Sequence, residues 1–427
     1  MQNEASGSPA PSGRTDGLAI ALAGMVALAV AMGIGRFAFT PLLPMMLDDG
    51  VIDLPGASWL ASANYLGYLA GALLCSLQPW LRARIGLRRT VDEIGLVRAG
   101  LVATALLTLA MALPAPAWWP GFRFAAGVAS AFVFVYSSGW CLAQLARLDA
   151  TALGGVMYAG PGAGIVVSGL LASALVAWDW RASAGWVLFG VLAAALTAVV
   201  WRVFDRGSAP QVGAPGPTAA GTDGAPAPHP TSEVACLAVA YGLAGFGYII
   251  SATFLPVIAR QALPGSPWLD LFWPILGLGV VVGALLSSRW RLAVDLRPLL
   301  AACYLVQAAG IGAGVWLPSV AGFAAGSLLL GLPFTAITFF AMREVRRLRP
   351  LAAASTMGAL TAMYGIGQIV GPPLAALLVR HAGDAGLGFA RSLQTAAAVL
   401  VAGAALYLWM ARAYPLSRSS LPPGATR

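Results

Sequence analysis

Two arginines lie within long apolar stretches of the chain, where a charged side chain is costly. Arg36 stands in GIGRFAFTPLLP, inside an otherwise uncharged segment from Gly17 to Leu47, and Arg123 stands in another apolar run. A guanidinium stays charged at every working pH, so it does not carry protons. Its planar edge can donate two parallel hydrogen bonds to a carboxylate or a phosphate. The two arginines therefore indicate a site for an anionic group of a substrate.

A structural role is the alternative for both arginines. Pro41 lacks an N–H group, so a helix running through it would leave the Phe37 carbonyl unpaired. Arg36 could donate to such backbone oxygens, or it could brace the helix that carries Arg123. The sequence leaves the choice between ligand binding and bracing open.

Polar residues in other apolar runs could complete the site. Tyr248, Thr335 and Thr338 offer hydroxyl groups and aromatic surface in the second half of the chain. Asn64 and Tyr68 are four residues apart and share one helix face. Asn64 could contact the substrate, although bonding between helices is the favoured interpretation because small residues surround it.

An acidic residue within the membrane would be the usual candidate for proton coupling. None of the 16 acidic residues is predicted to lie well inside a helix, and Asp270, near the start of the eighth predicted helix, comes closest. Asp270 is therefore the possible coupling residue. The alternatives are a proton carried by the substrate, uniport, exchange, or the loop acids Asp48, Asp49, Asp53 and Asp179.

The composition is that of a membrane protein. Of the 427 residues, 59% are hydrophobic and 10% are charged, and the mean hydropathy is +0.80. Apolar runs long enough to cross a bilayer as helices recur twelve times. The predicted spans are 18–46, 57–79, 93–113, 120–146, 151–177, 183–203, 233–261, 268–288, 296–317, 320–344, 351–380 and 386–412.

The formal charge of +9 does not indicate nucleic acid, because the placement of the arginines follows membrane topology. Most arginines flank the predicted spans on one side, and Arg181, Arg260, Arg380 and Arg391 lie on the other. The positive-inside rule then predicts that both termini are cytoplasmic and that the chain lies in the inner membrane. The four cysteines and two histidines form no pattern typical of a disulfide framework or a metal site, so we expect no metal and no cofactor.

The chain divides into two similar halves. The segment 205–232 is rich in Gly, Pro, Ala and Thr and predicts a flexible cytoplasmic linker between six-helix bundles at 18–204 and 233–412, with disordered tails at 1–17 and 413–427. Gly33, Gly35 and Pro44 recur 212 residues later as Gly245, Gly247 and Pro256. In this register Arg36 corresponds to Tyr248, so the positive charge is confined to the first half.

Two parallel six-helix halves resemble the major facilitator superfamily, whose substrate site lies between the halves near the midplane. The segment from Ile34 to Pro44 resembles the first-helix pattern of that superfamily, and Arg123 with Gly127 resembles its fourth-helix pattern. More narrowly, GIGRFAFTPLLP followed by WLASANYLGYLAGALL is similar to the YbfB/YjiJ-type branch. The resemblance implies an all-α bacterial membrane transporter with twelve transmembrane helices.

The resemblance also identifies gating positions. Gly160 and Pro161 fit part of a fifth-helix antiporter pattern, and Gly371 and Pro372 form a similar cluster beside the pair Tyr364 and Gln368. These clusters are expected to bend helices and to make tight contacts between the halves. The segment RARIGLRR resembles a degraded form of the superfamily's cytoplasmic gating motif, which retains Arg84, Gly86 and Arg88 and has Ala83 in place of an aspartate.

These features predict a monomeric secondary transporter for a small organic molecule. The partial antiporter pattern favours efflux, whereas the two arginines favour uptake of an organic anion. A membrane sensor or scaffold on the same fold is the alternative from another class. An enzyme is not expected, because the sequence holds no H-E-x-x-H, no G-x-S-x-G and no P-loop.

Overall fold

A computed structural model describes residues 12–85, 92–205, 230–266, 268–289, 295–349 and 353–416. Every regular element within these ranges is a helix. Twelve spans of the described chain are long and apolar enough to cross a membrane. This architecture follows from the composition, because in hydrocarbon a helix satisfies its own backbone N–H and C=O groups. The prediction of an all-α membrane protein with twelve transmembrane helices is confirmed.

We number the membrane spans α1 to α12 in chain order. Their bounds are α1 Asp16–Asp48, α2 Leu54–Gln78, α3 Glu93–Ala110, α4 Pro116–Arg147, α5 Gly154–Ala177, α6 Ala182–Trp201, α7 Thr231–Ala262, α8 Leu269–Ser287, α9 Leu296–Trp316, α10 Val320–Leu348, α11 Thr356–Ala382 and α12 Ala385–Ala413. The helix that contributes α1 begins at Ser12, inside the predicted tail at 1–17, and α7 begins at Thr231, inside the predicted linker. The rest of that linker, residues 206–229, lies outside the described residues.

Three spans are interrupted where the backbone departs from regular α-helix. In α1, a π-helix at Ala29–Ile34 and a turn separate an α-helix from a second one at Phe39–Asp48. α5 consists of Gly154–Tyr158 and Gly160–Ala177, and α10 is interrupted before Phe334. Breaks of this kind inside a membrane require other partners for the freed backbone groups.

The two halves are α1–α6 and α7–α12, and within each half equivalent glycines bring two helices together. A Cβ added to Gly67 in α2 would meet the Phe124 carbonyl of α4, and one added to Gly279 in α8 would meet the Leu328 carbonyl of α10. Gly67 and Gly279 thus let the backbones of their helix pairs approach closely. The same helix pair is built in the same way in each half, as the internal repeat predicts.

Proline residues free carbonyls that the opposite half then satisfies. Pro256 in α7 cannot donate to the Ala252 carbonyl, which accepts a hydrogen bond of 2.8 Å from Thr40 in α1. Pro373 in α11 likewise cannot donate to the Ile369 carbonyl, which accepts one of 2.9 Å from Ser62 in α2. These bonds join the halves beside the interrupted segment of α1.

Two groups of ion pairs mark the two ends of the bundle. We call the end that carries both chain termini the terminal side and the opposite end the far side. On the far side, Arg260 at the end of α7 pairs with Asp48 of α1 and Asp270 of α8, each at 3.1 Å. Asp48 and Arg260 are 212 residues apart and belong to different halves, so this pair links the two halves on the far side.

Candidate functional site

Arg36 lies in the irregular part of α1, between the π-helix and the second α-helix. Its side chain is 4% exposed and reaches the second half, where one terminal nitrogen donates to Oε1 of Gln368 in α11 at 2.6 Å. The Nε of Arg36 has no hydrogen-bond partner, and none of the described ion pairs includes Arg36. A buried guanidinium therefore has an amide as its polar partner and no neutralising acid.

Aromatic rings surround the guanidinium of Arg36. Its Cζ lies 4.3 Å from the ring centroid of Tyr68, 5.1 Å from that of Tyr65 and 5.4 Å from that of Phe37. Cation–π attraction is stronger in a desolvated setting, so these rings partly offset the cost of burying the charge. A carboxylate would bind through the N–H groups at the edge of the guanidinium.

A cluster of tyrosines lies next to Gln368 within the second half. Gln368 donates through Nε2 to the Tyr248 hydroxyl. The Tyr248 ring stacks on Tyr364 at 5.8 Å between centroids, and Tyr364 stacks on Tyr241 at 4.7 Å. Tyr241 in turn donates to the Thr338 hydroxyl at 3.0 Å. The structure thus brings Tyr248 and Thr338, both predicted from the sequence, into one connected group with Arg36.

A small apolar pocket lies beside this group, between the halves. We call it the central pocket; its walls include Phe37, Tyr248, Trp273, Leu276, Val280 and Phe334. Phe37 follows Arg36 in the chain, and the other five residues belong to α7, α8 and α10. The first half therefore supplies the charge, and most of the apolar wall comes from the second half.

Arg123 makes the contacts that the bracing interpretation expects, one of the two roles that the sequence left open. It is 2% exposed, and its terminal nitrogens donate to the carbonyls of Gly35 at 3.1 Å and Arg36 at 3.0 Å. These carbonyls belong to the interrupted segment of α1, where regular helix hydrogen bonds are lost. Its guanidinium also lies 5.1 Å from the Phe39 ring centroid. Arg123 thus holds the turn that presents Arg36.

The remaining polar candidates have different surroundings. Asn64 donates to the Arg123 carbonyl at 2.9 Å, so it joins α2 to α4, as the packing interpretation expects. Thr335 is half-buried at the start of the second part of α10, and its hydroxyl has no hydrogen-bond partner. The Phe37 carbonyl, expected to be free because of Pro41, accepts from Thr40 N at 3.1 Å instead.

The glycine and proline clusters differ in what they contact. Gly160 and Pro161 begin the second part of α5, and Gly160 packs against the Met25 carbonyl in its own half. Gly371 packs against Ile249, also in its own half, and Pro372 lies inside a continuous helix. Close contact between the halves is made by a neighbour, Gly162, whose added Cβ would meet the Gly277 carbonyl of α8.

Two of the predicted gating residues, Gly86 and Arg88, lie outside the described residues. Arg84 is described and exposed, near the terminal-side end of the helix that carries α2. Asp270, the possible coupling residue, lies in the far-side ion pair with Arg260, three residues before the pocket residue Trp273. None of its described contacts joins the Asp270 carboxylate to the group around Arg36.

A third buried arginine was not singled out in the sequence. Arg297, at the start of α9, is 0% exposed and pairs with Glu233 at 3.1 Å and with Asp295 at 2.9 Å. Glu344 lies 3.7 Å from Arg297 and 2.6 Å from Arg347. We call these five residues the terminal-side cluster. Hydrogen bonds and charge from Arg297 lower the pKa of the Asp295 carboxyl, outweighing burial, which alone would raise it.

The terminal-side cluster contains two acids that are buried although they stand near helix ends and not well inside a helix. Glu233 lies in the first turn of α7 and Glu344 lies in the second part of α10, and each is 1% exposed. They were missed because both stand near predicted span ends, where an acid is normally solvated. The segment MREVRRL could have revealed the ion pair, because it places Glu344 and Arg347 three residues apart on one helix face.

Comparisons with known proteins agree with this architecture. A family profile described as "Uncharacterised MFS-type transporter YbfB" matches residues 28–408. The structure is similar to a crystal structure of a mutant of the nucleoside transporter NupG, with a TM-score of 0.68, 12% sequence identity, and coverage of 92% of this chain and 99% of that chain. At this identity the likeness shows the fold alone. Comparison with curated proteins gives no match.

The family match covers most of the chain, including the whole group around Arg36 and both halves. It agrees with the resemblance found in GIGRFAFTPLLP and with the twelve membrane spans. The chain is therefore a multi-pass membrane protein that belongs to the family of YbfB-type transporters, within the major facilitator superfamily.

Proposed function

We propose that this protein is a secondary transporter that binds the anionic group of a small organic molecule at Arg36 and moves it by alternating access. The observation that carries the proposal is the buried guanidinium of Arg36, which has no acid among its described contacts. Burying a charge without a counter-charge is unfavourable, so an anion in this place would gain the attraction that the protein itself does not satisfy.

The contacts of Arg36 link binding to movement of the halves. Arg36 belongs to the first half and Gln368 to the second, so their hydrogen bond crosses the interface. A carboxylate that takes the place of Gln368 on the guanidinium would remove that bond and weaken the interface. The hydrogen bond from Thr40 to Ala252 and the ion pair of Asp48 with Arg260 also join the two halves. Both must break when the halves separate at the far side. Such rocking of two halves about a central site is the general mode of the fold.

Efflux stays a prediction. The helix break at Gly160 and Pro161 supports a bend in α5, and a bend serves either direction of transport.

We also propose that the terminal side faces the cytoplasm, which is supported by the concentration of arginines there, and that the protein acts as a monomer in the inner membrane. Labelling of single cysteines placed at Ser232 and Ser266 from either side of the membrane would test the orientation.

Flux into proteoliposomes tests the proposal. The purified full chain is reconstituted, and entry of labelled acetate, succinate and benzoate is followed for wild type, Arg36→Gln and the matched control Arg391→Gln, which removes an exposed arginine. We expect at least one anion to cross, with flux reduced by about tenfold or more in Arg36→Gln and unchanged in Arg391→Gln.

Equal flux in all three proteins would show that Arg36 does not bind the substrate. Binding of an anion without flux under any imposed gradient would instead favour a sensor or scaffold. Flux measured with the label first inside and then outside the vesicles compares efflux with uptake.

A further inference from the structure

A groove on the outer surface of the first half lies between α3 and α6, outside the group around Arg36. Its volume is about 420 Å³, within the range of about 300–1,000 Å³ that is typical of ligand pockets. The wall is one face of each helix and includes Val102, Leu106 and Leu109 of α3 with Ala194, Ala198 and Trp201 of α6. Because both helices are membrane spans, the groove opens towards the hydrocarbon of the bilayer.

Two contacts between α3 and α6 bound the groove. Near the far side, a Cβ added to Gly190 would meet the Leu109 side chain, so the helices touch there. Near the terminal side, Arg98 donates to the Trp201 carbonyl at 3.1 Å, and its Cζ lies 4.7 Å from the Trp201 ring centroid. Between these contacts α6 presents alanines, which leave the space between the helices unfilled.

The length of the groove is apolar. Leu106 is 60% exposed and Val102 is 39% exposed. The hydroxyl of Thr197, which also belongs to the wall, donates to the Ala193 carbonyl at 2.7 Å and is therefore not available to a ligand. A polar solute would lose its hydration here without gaining hydrogen bonds. An acyl chain would lose nothing, and the rise of about 10 Å from Val102 to Leu109 gives it a length to lie along.

Positive charge lies at the terminal-side end of the groove. Arg202 belongs to the wall, is exposed, and takes part in none of the ion pairs of the described residues. The acids that begin α3 are directed elsewhere. Asp92 accepts from Gly95 N at 2.8 Å, and Glu93 stands nine residues before Val102, about half a turn around the helix from it. The charge at this end therefore complements a phosphate.

We propose that the groove between α3 and α6 holds an anionic phospholipid of the terminal-side leaflet, with one acyl chain in the groove and the phosphate on Arg202. Trp201 lies at the same level, where tryptophan is typical of the boundary between hydrocarbon and headgroups. Basic pockets between transmembrane helices select anionic headgroups, whereas a zwitterionic headgroup brings a cation of its own. The site is independent of the anion site proposed at Arg36.

Native mass spectrometry of the purified full chain in detergent tests the proposal with three probes. Phosphatidylglycerol has the proposed chemistry, phosphatidylethanolamine has a zwitterionic headgroup, and glycerol phosphate lacks the acyl chains. We expect the first bound phosphatidylglycerol to be held about fivefold more tightly than phosphatidylethanolamine, the factor that one arginine near an anionic headgroup supplies. Glycerol phosphate should not be retained.

Two matched pairs of variants assign the effect to residues. Arg202→Gln should remove the preference for phosphatidylglycerol, whereas Arg412→Gln, which removes another exposed arginine on the terminal side, should keep it. Ala198→Phe fills the groove and should weaken binding of the first lipid of either kind. Its control, Ala195→Phe, changes an exposed alanine of α6 outside the wall and should change nothing. Ala194→Phe serves if Ala198→Phe does not fold.

Four results would overturn the proposal. Equal affinity for the two lipids, or a preference that survives Arg202→Gln, would show that Arg202 does not select the headgroup. First-lipid binding that is unchanged in Ala198→Phe would show that no chain lies in the groove. Retention of glycerol phosphate would make Arg202 a site for free phosphate. Wild-type dimers that dissociate in Ala198→Phe would make the groove an interface between two copies of the chain.

Discussion

Arg36 and Arg297 are both buried arginines, yet their surroundings are opposite. Arg297 pairs with Glu233 and Asp295, lies near Glu344, and donates to the Met410 carbonyl at 3.0 Å. Arg36 has an amide partner, three aromatic rings and no acid among its described contacts. Arg297 is therefore surrounded by acids, whereas Arg36 has none among its described contacts; Arg123, the third buried arginine, resembles Arg36 in this respect but donates to backbone carbonyls instead.

The positions of the two arginines explain this difference. Arg297 lies within the second half, where it joins the beginning of α9 to the ends of α10 and α12, and Arg98 plays a similar part in the first half by donating to the Trp201 carbonyl at 3.1 Å. Arg36 lies where the two halves meet and contacts a residue of the other half. A permanent acid there would hold the halves together, whereas a ligand can arrive and leave.

Removal of Arg297 should have the largest effect on stability. Arg297→Met leaves Glu233 and Glu344 with Arg347 as their remaining described partner, and breaking a buried ion pair costs about 3–5 kcal/mol. We expect a large fall in the apparent melting temperature in detergent, or no folded protein. Arg391→Met is the control for loss of an exposed arginine. A variant that melts like this control would show that the terminal-side cluster is not structural.

Removal of Arg123 should have the next largest effect. Arg123→Met takes the donors from the Gly35 and Arg36 carbonyls, and an unsatisfied buried polar group costs about 1–3 kcal/mol. The apparent melting temperature should fall, and benzoate binding should weaken because the turn that presents Arg36 loses its brace. Normal stability with lost binding would instead make Arg123 a ligand of the anion.

Asp270→Asn should have a small effect. Arg260 keeps its pair with Asp48, and a partly exposed ion pair contributes about 1 kcal/mol or less. Flux of the transported anion, measured between pH 5 and 8, should keep its pH dependence because Asp270 lies outside the group around Arg36. A changed pH profile would make Asp270 the coupling residue.

The smallest effect on stability is expected at Arg36 itself. Arg36→Met takes the described donor from the buried Gln368 Oε1, but it also removes a buried charge that has no acid to leave behind. Because these two effects oppose one another, the free energy of unfolding should change by about 1 kcal/mol or less, in either direction. Anion binding should be lost completely. If Arg36→Met unfolds as Arg297→Met does, the two arginines are alike and both are structural.

The sequence predicted the fold because hydropathy alone determines which segments span a membrane. The internal repeat identified in the sequence corresponds to contacts between equivalent positions of α1 and α7. Thr40 with Ala252 and Asp48 with Arg260 are 212 residues apart and touch across the interface, so equivalent positions of α1 and α7 face one another.

The roles of the arginines could not be predicted from local sequence. Arg123 braces α1 because two particular carbonyls lie where α1 crosses α4, and Arg36 meets Gln368 from a distance of 332 residues along the chain. The burial of Glu233 and Glu344 was missed too, because both stand near predicted span ends and their partner Arg297 comes from another helix. Such contacts depend on packing, which hydropathy does not reveal.

Benzoate binding by Gln368→Glu shows whether Arg36 must be free of acid to bind an anion. This variant supplies Arg36 with the kind of acid that Arg297 already has, at the position of its present 2.6 Å partner. We expect a folded protein, at least as stable as wild type, that no longer binds benzoate in calorimetric titration. Unchanged benzoate binding by this variant would contradict the claim that the guanidinium of Arg36 is kept free of acid in order to receive an anion.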